Sequence, residues 1–400
     1  MTEGGVGVRV AFVLGTTSGG TGRHVRMLAE GLTRRGHQVL VAGPRSVEEQ
    51  FAYGETGARF VEVAVADRPR PVADVRAVLA LRRVTRDADV VHAHGLRAGA
   101  LAALGTWGWR PSLMALTTQG RRRLLVVTLH NALTAGGLVG FVYGVLERIV
   151  ARRADRVLVV SPDLGERMTR LGARDVRAAV VPAPPLRPAK RTPREVADEL
   201  GAGERPILLT VARLAQQKGL ETLLDVAAGP WEEAPAGRDV AGGSRGEAPD
   251  DGKGGVWRGR PLFVVAGEGP LRGELERRIA AEGLPVMLLG NRDDVPDLLG
   301  AATAVVTATR WEGQPLSIRE ALMAGKPVVA TAVGGIPEIV GDAGVLVPYG
   351  DVSALREAVR ALLEEPGAAE RLAAAAVQRG QEMPDGDEAV ESVLNVYEAS

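Results

Sequence analysis

Short apolar runs that end in glycine, serine or histidine, each followed by polar-rich sequence with helical spacing, recur along this chain. The first, Val8-Arg9-Val10-Ala11-Phe12-Val13-Leu14, reads as a buried strand. Val25, Leu28, Ala29 and Leu32 then fall at the intervals of one helix face, Gly36 stops that helix, and residues 37–42 return as a strand. Similar strand-like runs stand at 89–95, 126–131, 155–161, 206–211, 261–266, 304–306 and 326–331, with an apolar helix at 138–150 and an amphipathic one at 389–399. Strands alternating with helices, and apolar without a period of two, predict parallel sheets covered on both faces. The fold class expected is therefore α/β.

Two stretches break the pattern. Residues 182–193 hold five prolines and read as a linker. Residues 229–259 are Gly, Pro, Asp, Glu and Arg with little apolar content, and read as a disordered surface insertion. The expected division is a first Rossmann-like domain at 1–182, a linker at 183–203, a second such domain at 204–384 carrying the insertion, and a last helix at 385–400. A length of 400 residues, 46% of them hydrophobic, supplies two cores.

Composition then removes whole classes of function. Lys plus Arg equals Asp plus Glu at 49 each, so no polyanion is called for and a nucleic-acid partner is disfavoured. With no cysteine there are no disulfides, thiolate metal sites or cysteine nucleophiles. The first nine residues lack a basic-then-apolar leader pattern, and no apolar run reaches spanning length; the nearest, 138–146, is closed by Glu147 and Arg148. A cytoplasmic enzyme is expected.

The richest chemistry lies in Thr309-Arg310-Trp311-Glu312-Gly313-Gln314-Pro315-Leu316-Ser317-Ile318-Arg319-Glu320, where two carboxylates stand with seven residues between them. Glu312 sits in a Gly/Pro loop after a strand, and Glu320 on the helix that follows. A helix N-terminus suits a phosphate, and the N–H groups of Leu316, Ser317 and Ile318 supply it because Pro315 has none. Glu320, about one turn further in, and Glu312 are acceptor-only groups that suit sugar hydroxyls. Upstream, the strand at 206–211 runs into Arg213 and Lys218, a fork and a point charge placed to clamp a diphosphate. Near the N-terminus, Gly15-Thr16-Thr17-Ser18-Gly19-Gly20-Thr21-Gly22 follows the first strand without a strict dinucleotide fingerprint. Two further strands end in histidine, at His92-Ala93-His94 and at His130.

The segment from Thr309 to Thr331, continued by Val333-Gly334-Gly335-Ile336-Pro337-Glu338 and Ala343-Gly344-Val345-Leu346-Val347-Pro348, resembles the family-four retaining glycosyltransferases of the GT-B fold. The resemblance is strongest between 206 and 363 and weaker in the first half. It implies two Rossmann-like domains facing across a cleft, a nucleotide-diphosphate sugar (UDP or GDP) as donor, an acceptor hydroxyl and no divalent metal. No cofactor is implied, since the nucleotide sugar is a substrate. By that resemblance Arg213 and Lys218 neutralise the leaving diphosphate, with Leu316 and Ser317 at the helix start. Glu320 holds the ribose, Glu312 contacts the donor sugar, and Asn291 lies by the base. Gly19 and Gly20 approach the diphosphate and acceptor, His130 and then His94 lie on the acceptor side, and the last helix returns to the first domain. Glu312, Arg213, Lys218 and His130 are the residues expected to carry the chemistry. Departures are Gln314 for an apolar residue, Thr309 for Ser, Ala212 for Gly, and Ala183-Pro184 where Asn-Gly is common.

Two rivals remain open from sequence: a nucleotide-sugar epimerase of the same architecture, and a non-catalytic nucleotide-sugar-binding relic. The acceptor is unidentified among glycan, lipid-linked and small-molecule classes. Arg121-Arg122-Arg123 and Arg152-Arg153 flank the apolar helix at 138–150. They read either as a solvated helix end or as a peripheral contact with anionic lipid at the inner face of the membrane.

Overall fold

The computed structural model describes residues 7–17, 19–66, 70–106, 123–131, 137–182, 185–231 and 260–398. The chain divides into two compact units, Met1–Pro184 with Pro384–Ser400, and Pro185–Met383. Most of the insertion (232–259), two linker residues (183–184), and Arg121 and Arg122 lie outside the described residues.

In the first unit seven strands form one sheet: β1 (Arg9–Leu14), β2 (Gln38–Gly43), β3 (Arg59–Glu62), β4 (Val90–His94), β5 (Leu124–Leu129), β6 (Arg156–Val159) and β7 (Val176–Ala178). Their order is β3-β2-β1-β4-β5-β6-β7 and all pairings are parallel. Helices α1 (Gly20–Arg34), α2 (Arg45–Phe51), α3 (Pro71–Val84), α4 (Leu96–Gly105), α5 (Gly137–Arg153) and α6 (Pro162–Arg170) make the connections. The central strands are apolar throughout because both faces are covered: Val10 to Leu14 are all buried. Helix α5 runs on to Arg153, three residues beyond the end expected at 150. Its Glu147 is buried and takes a two-pronged ion pair from Arg167, at 2.8 and 2.7 Å. The same helix leaves Val139, Phe141 and Val145 exposed.

The second unit carries β8 (Ile207–Val211), β9 (Leu262–Ala266), β10 (Val286–Gly290), β11 (Ala304–Thr307), β12 (Val328–Thr331) and β13 (Gly344–Val347), in the parallel order β10-β9-β8-β11-β12-β13. Its helices are α7 (Pro193–Glu199), α8 (Leu220–Ala227), α9 (Arg272–Glu282), α10 (Val295–Ala301), α11 (Leu316–Met323), α12 (Ile336–Val340), α13 (Val352–Glu364) and α14 (Ala368–Gln381). Neighbouring strand residues feed opposite cores. Leu209, Val264, Val305 and Ala330 pack on one side, and Leu208, Phe263, Val306 and Val329 on the other.

Residues 193–199, placed within the proline-rich linker by sequence, form α7. Thr192 caps it by accepting from the Glu195 N–H while the Glu195 carboxylate accepts from the Thr192 N–H, a reciprocal box. Val196 of this helix is fully buried in the second unit's core. Trp231, at the start of the expected insertion, donates to the Ala227 carbonyl at 3.2 Å and lies against Phe263.

The last helix, α15 (Gly386–Glu398), belongs to the first unit. Arg156 donates to the Val396 carbonyl and Arg35 to Asp387, which fasten it to β6 and α1. No helix among the described residues is long and apolar enough to cross a membrane.

Candidate active site

Each sheet reverses its winding once, and the expected residues other than Asn291 gather at those two places. In the second unit the chain proceeds from β8 outward to β10, then restarts at β11 beside β8 and runs the other way. Loops leaving the carboxyl ends of two such strands diverge and leave a crevice, which is where ligands bind in sheets of this kind. Arg213 and Lys218 stand on the loop after β8, Glu312 on the loop after β11, and Leu316, Ser317 and Glu320 on α11.

The two loops are stitched together through backbone groups. The Thr309 hydroxyl donates to the Gln217 carbonyl at 2.9 Å, the Arg310 N–H donates to the same carbonyl at 2.8 Å, and the Gln217 amide donates to the Trp311 carbonyl at 2.9 Å. Thr331, at the end of β12, adds a bond to the Thr309 carbonyl at 2.6 Å. The packing is too tight for side chains at two glycines. At Gly219 (φ +60°) a Cβ would lie 2.0 Å from the Ala308 oxygen, and at Gly334 (φ +57°) it would lie 1.8 Å from the Glu312 oxygen. The Gly335 N–H also donates to that Glu312 carbonyl at 3.0 Å.

On this rigid frame the Lys218 ammonium and the Glu312 carboxylate form an ion pair, their side chains 25% and 15% exposed. Arg213 is exposed and its guanidinium has no partner among the described residues. Helix α11 begins at Leu316 after Pro315, with no side chain capping its first turn, so its leading N–H groups are open to a ligand. Leu316, Ser317 and Glu320 are half-buried on this helix. The arrangement sets cationic donors, a helix N-terminus and two acids around one crevice, which fits a sugar bearing a phosphate ester. Asn291 follows β10 with an exposed side chain.

Arg319 carried no expectation, yet it is buried. It donates to the Gln314 amide oxygen at 2.8 Å and so ties the loop before α11 to the helix. Burial, with Arg379 close by, draws its pKa down to about 10. The presence of Gln314 in a normally apolar place was the visible signal for this contact.

In the first unit the reversal lies between β1 and β4. Gly19 (φ +68°) is the residue before α1, and Gly20 is the helix's first residue; Ser18 lies outside the described residues. His94 ends β4 and His130 follows β5. Their Nδ1 and Nε2 atoms are 3.0 Å apart and their rings are stacked.

Two histidines not assigned a role from sequence complete the group. His24, on α1, sets its ring edge-on to both His94 and His130 with centroids 5.9 Å away in each case, and His92 stacks on His94 at 4.3 Å. Tyr397, from α15, meets His92 Nδ1 at 2.7 Å, and Thr128 meets its Nε2 at 2.7 Å. Burial holds these imidazoles neutral: His92 is drawn down to about 3, His130 to about 4, and His24 and His94 well below the ordinary range, with neighbouring histidines adding to the effect on His24, His92 and His94. Four of the chain's five histidines converge here. Tyr397, buried in the α15 seam like any aromatic core residue, gave no warning. Among the described residues no group of three or more His, Asp or Glu is arranged to hold a metal ion.

Comparison with known proteins matches this architecture. The glycosyl transferase 4-like domain model matches residues 19–184 and the glycosyl transferases group 1 model matches residues 256–365, together more than half of the chain. The chain belongs to the group 1 glycosyl transferases, with the two parallel α/β units of the GT-B fold. Among curated relatives, the alpha-D-kanosaminyltransferase of Streptomyces kanamyceticus is 30% identical over 57% of this chain and 56% of its own length. The 2-deoxystreptamine N-acetyl-D-glucosaminyltransferase of Streptomyces fradiae is 30% identical over 63% of this chain and 57% of its own. The chain thus spans a little over half the length of these two. A glycogen synthase of Mycobacterium tuberculosis is 27% identical over 90% of this chain and 86% of its own. Among solved structures, Anabaena HepE in complex with UDP and glucose superposes with a TM-score of 0.74 at 18% identity, covering 98% of this chain and all of that one. WaaG, a glycosyltransferase involved in lipopolysaccharide biosynthesis, gives 0.66 at 17% identity over 98% of this chain.

Proposed function

We propose that this protein transfers a sugar from a nucleotide-diphosphate sugar to an acceptor hydroxyl, with retention of configuration and without a divalent metal. The observation that carries the proposal is the Lys218–Glu312 ion pair at the second unit's winding reversal, beside the uncapped start of α11. The solved likeness with UDP and glucose favours UDP as the nucleotide, with GDP the alternative.

In this reading the diphosphate is held by Arg213, Lys218 and the N–H groups of Leu316 and Ser317, which supply the positive charge that a metal would otherwise bring. Glu320 accepts from the ribose hydroxyls and Asn291 lies by the base. Glu312 accepts from hydroxyls of the donor sugar, and its pairing with Lys218 keeps both groups in position before the donor arrives. The bond from the sugar's anomeric carbon to the diphosphate oxygen breaks, and the acceptor oxygen bonds to that carbon from the same face. The acceptor proton passes to the leaving phosphate oxygen. In the first unit, Gly19 and Gly20 let backbone approach the ligands, and His94 and His130 serve the acceptor side. The acceptor is a small molecule, a glycan or a lipid-linked sugar; one relative is named for 2-deoxystreptamine and another is a glycogen synthase.

The test is a transfer assay in a chelator, with UDP-sugars as donors and a panel of hydroxylated acceptors. An α-linked glycoside from an α-linked donor is the expected product. An epimerised nucleotide sugar with no glycoside, or a strict requirement for a divalent metal, would contradict the reading.

A further inference from the structure

Neutral imidazoles can make the hydrogen bond between His94 and His130 in only two ways. One proton lies between His94 Nδ1 and His130 Nε2, 3.0 Å apart. If His130 donated it, His94 would carry its own proton on Nε2, which is buried and has no hydrogen-bond partner. A buried N–H without an acceptor bears the full desolvation cost of a strong donor, and such groups are rare. If His94 donates instead, its Nε2 is a bare ring nitrogen among the rings of Phe12, His24 and His92, whose centroids lie 5.5, 5.9 and 4.3 Å from its own. That arrangement costs less. His92 cannot relieve His94, because Tyr397 and Thr128 engage both of its nitrogens.

We propose that His94 is a positioning residue for His130: it donates from Nδ1 to His130 Nε2 and thereby leaves the His130 proton on Nδ1. That Nδ1–H has no partner among the described residues and belongs to a half-buried side chain. It is the group His130 offers to a hydroxyl or ring oxygen of a bound sugar. His130 then acts as a hydrogen-bond donor and not as a base, because its one lone pair is taken by His94. The idea rests on the reading that His130 lies on the acceptor side, and it accounts for the acceptor proton going to the leaving phosphate. The hydroxyl of Tyr397 fixes the His92 ring on which His94 stacks, which extends the same array to the last helix of the chain.

Long-range proton–nitrogen NMR on the full chain, labelled with nitrogen-15 at histidine and free of ligand, reads each tautomer directly near neutral pH. Loss of one pattern in His130→Gln assigns that residue. The expected result is His130 protonated on Nδ1 with bare Nε2, and His94 protonated on Nδ1. His94→Asn keeps a donor near the Nδ1 position and preserves the His130 pattern, whereas His94→Leu loses it. His130 protonated on Nε2, or present as imidazolium, overturns the proposal, and the wild-type spectrum decides this even where a variant fails to fold. The underlying reading fails separately: unchanged UDP-sugar turnover in His130→Gln would remove His130 from the site and leave the tautomer result standing.

Discussion

Lys218 and Glu312 stand 94 residues apart in the chain and meet as an ion pair. They were readable one by one, as a cation after a strand and an acid before a helix. Their contact was not, because it depends on β8 and β11 lying side by side. The pair makes opposite predictions for its members. On the proposed reading Lys218→Met removes a charged hydrogen bond to the diphosphate worth about 1.5–3 kcal/mol and should weaken UDP binding about 10- to 150-fold by calorimetry. Glu312→Gln releases Lys218 for the phosphate, so UDP affinity should hold or rise while sugar transfer is lost. Equal loss of UDP affinity in both variants would show that the pair is only a structural brace. Gly334→Ala tests the frame under Glu312. A methyl group 1.8 Å from a carbonyl oxygen at positive φ cannot be seated without moving backbone. A loss of about 2 kcal/mol or more is expected in denaturant unfolding, and an unchanged midpoint would show that the loop gives way freely.

At the scale of elements, strands at the centre of each sheet were legible because burial on both faces leaves an unbroken apolar run, as at 10–14 and 207–209. Edge strands lack that constraint. Arg59–Glu62 is half exposed and Val176–Ala178 has two exposed residues of three, so neither carries a run that sequence could single out. The linker reading at 183–203 leaned on prolines, although Thr192 and Glu195 spell a helix start three residues apart. Pro193 fits the first position of that helix, where no N–H is needed. Around α7, Arg191 and Arg292 bind Glu199 and Asp294, and Arg191 also reaches Asp297. Arg191, Arg292, Glu199 and Asp294 are partly exposed, so solvent screens their pairs, whereas Asp297 is buried and also accepts from the Lys190 N–H. Thr192→Ala should lower stability by about 1 kcal/mol, a small fall in melting temperature. No change would mean that the buried Val196 and the Arg191 contacts to Glu199 and Asp297 hold the helix.

For the whole molecule, balanced charge hides a pH dependence that the histidines impose. All five histidines have folded pKa values below the ordinary one, His130 down to about 4 and His92 to about 3. Above the unfolded value, about 6.5, neither state binds these protons and stability is complete. As pH falls below it the unfolded chain takes up protons that the folded chain refuses, so stability declines until the folded values are reached. Each histidine contributes up to about 1.4 kcal/mol per pH unit. The melting temperature should therefore fall steadily between about pH 7 and pH 5, where carboxylates hardly titrate. A flat profile would contradict the neutral histidine array. The array itself was half legible: His94 and His130 end predicted strands, whereas His24 and Tyr397 join them only through folding.

The central claim is that the second unit binds a nucleoside diphosphate through the loops after β8 and β11 and the start of α11. It is tested most directly by thermal shift with UDP, GDP and ADP in a chelator, on the wild type and on Glu320→Ala. The account predicts a rise in melting temperature with UDP or GDP that is absent or much reduced in the variant. A rise of equal size in both proteins, or one that appears only when a divalent metal is added, would contradict it.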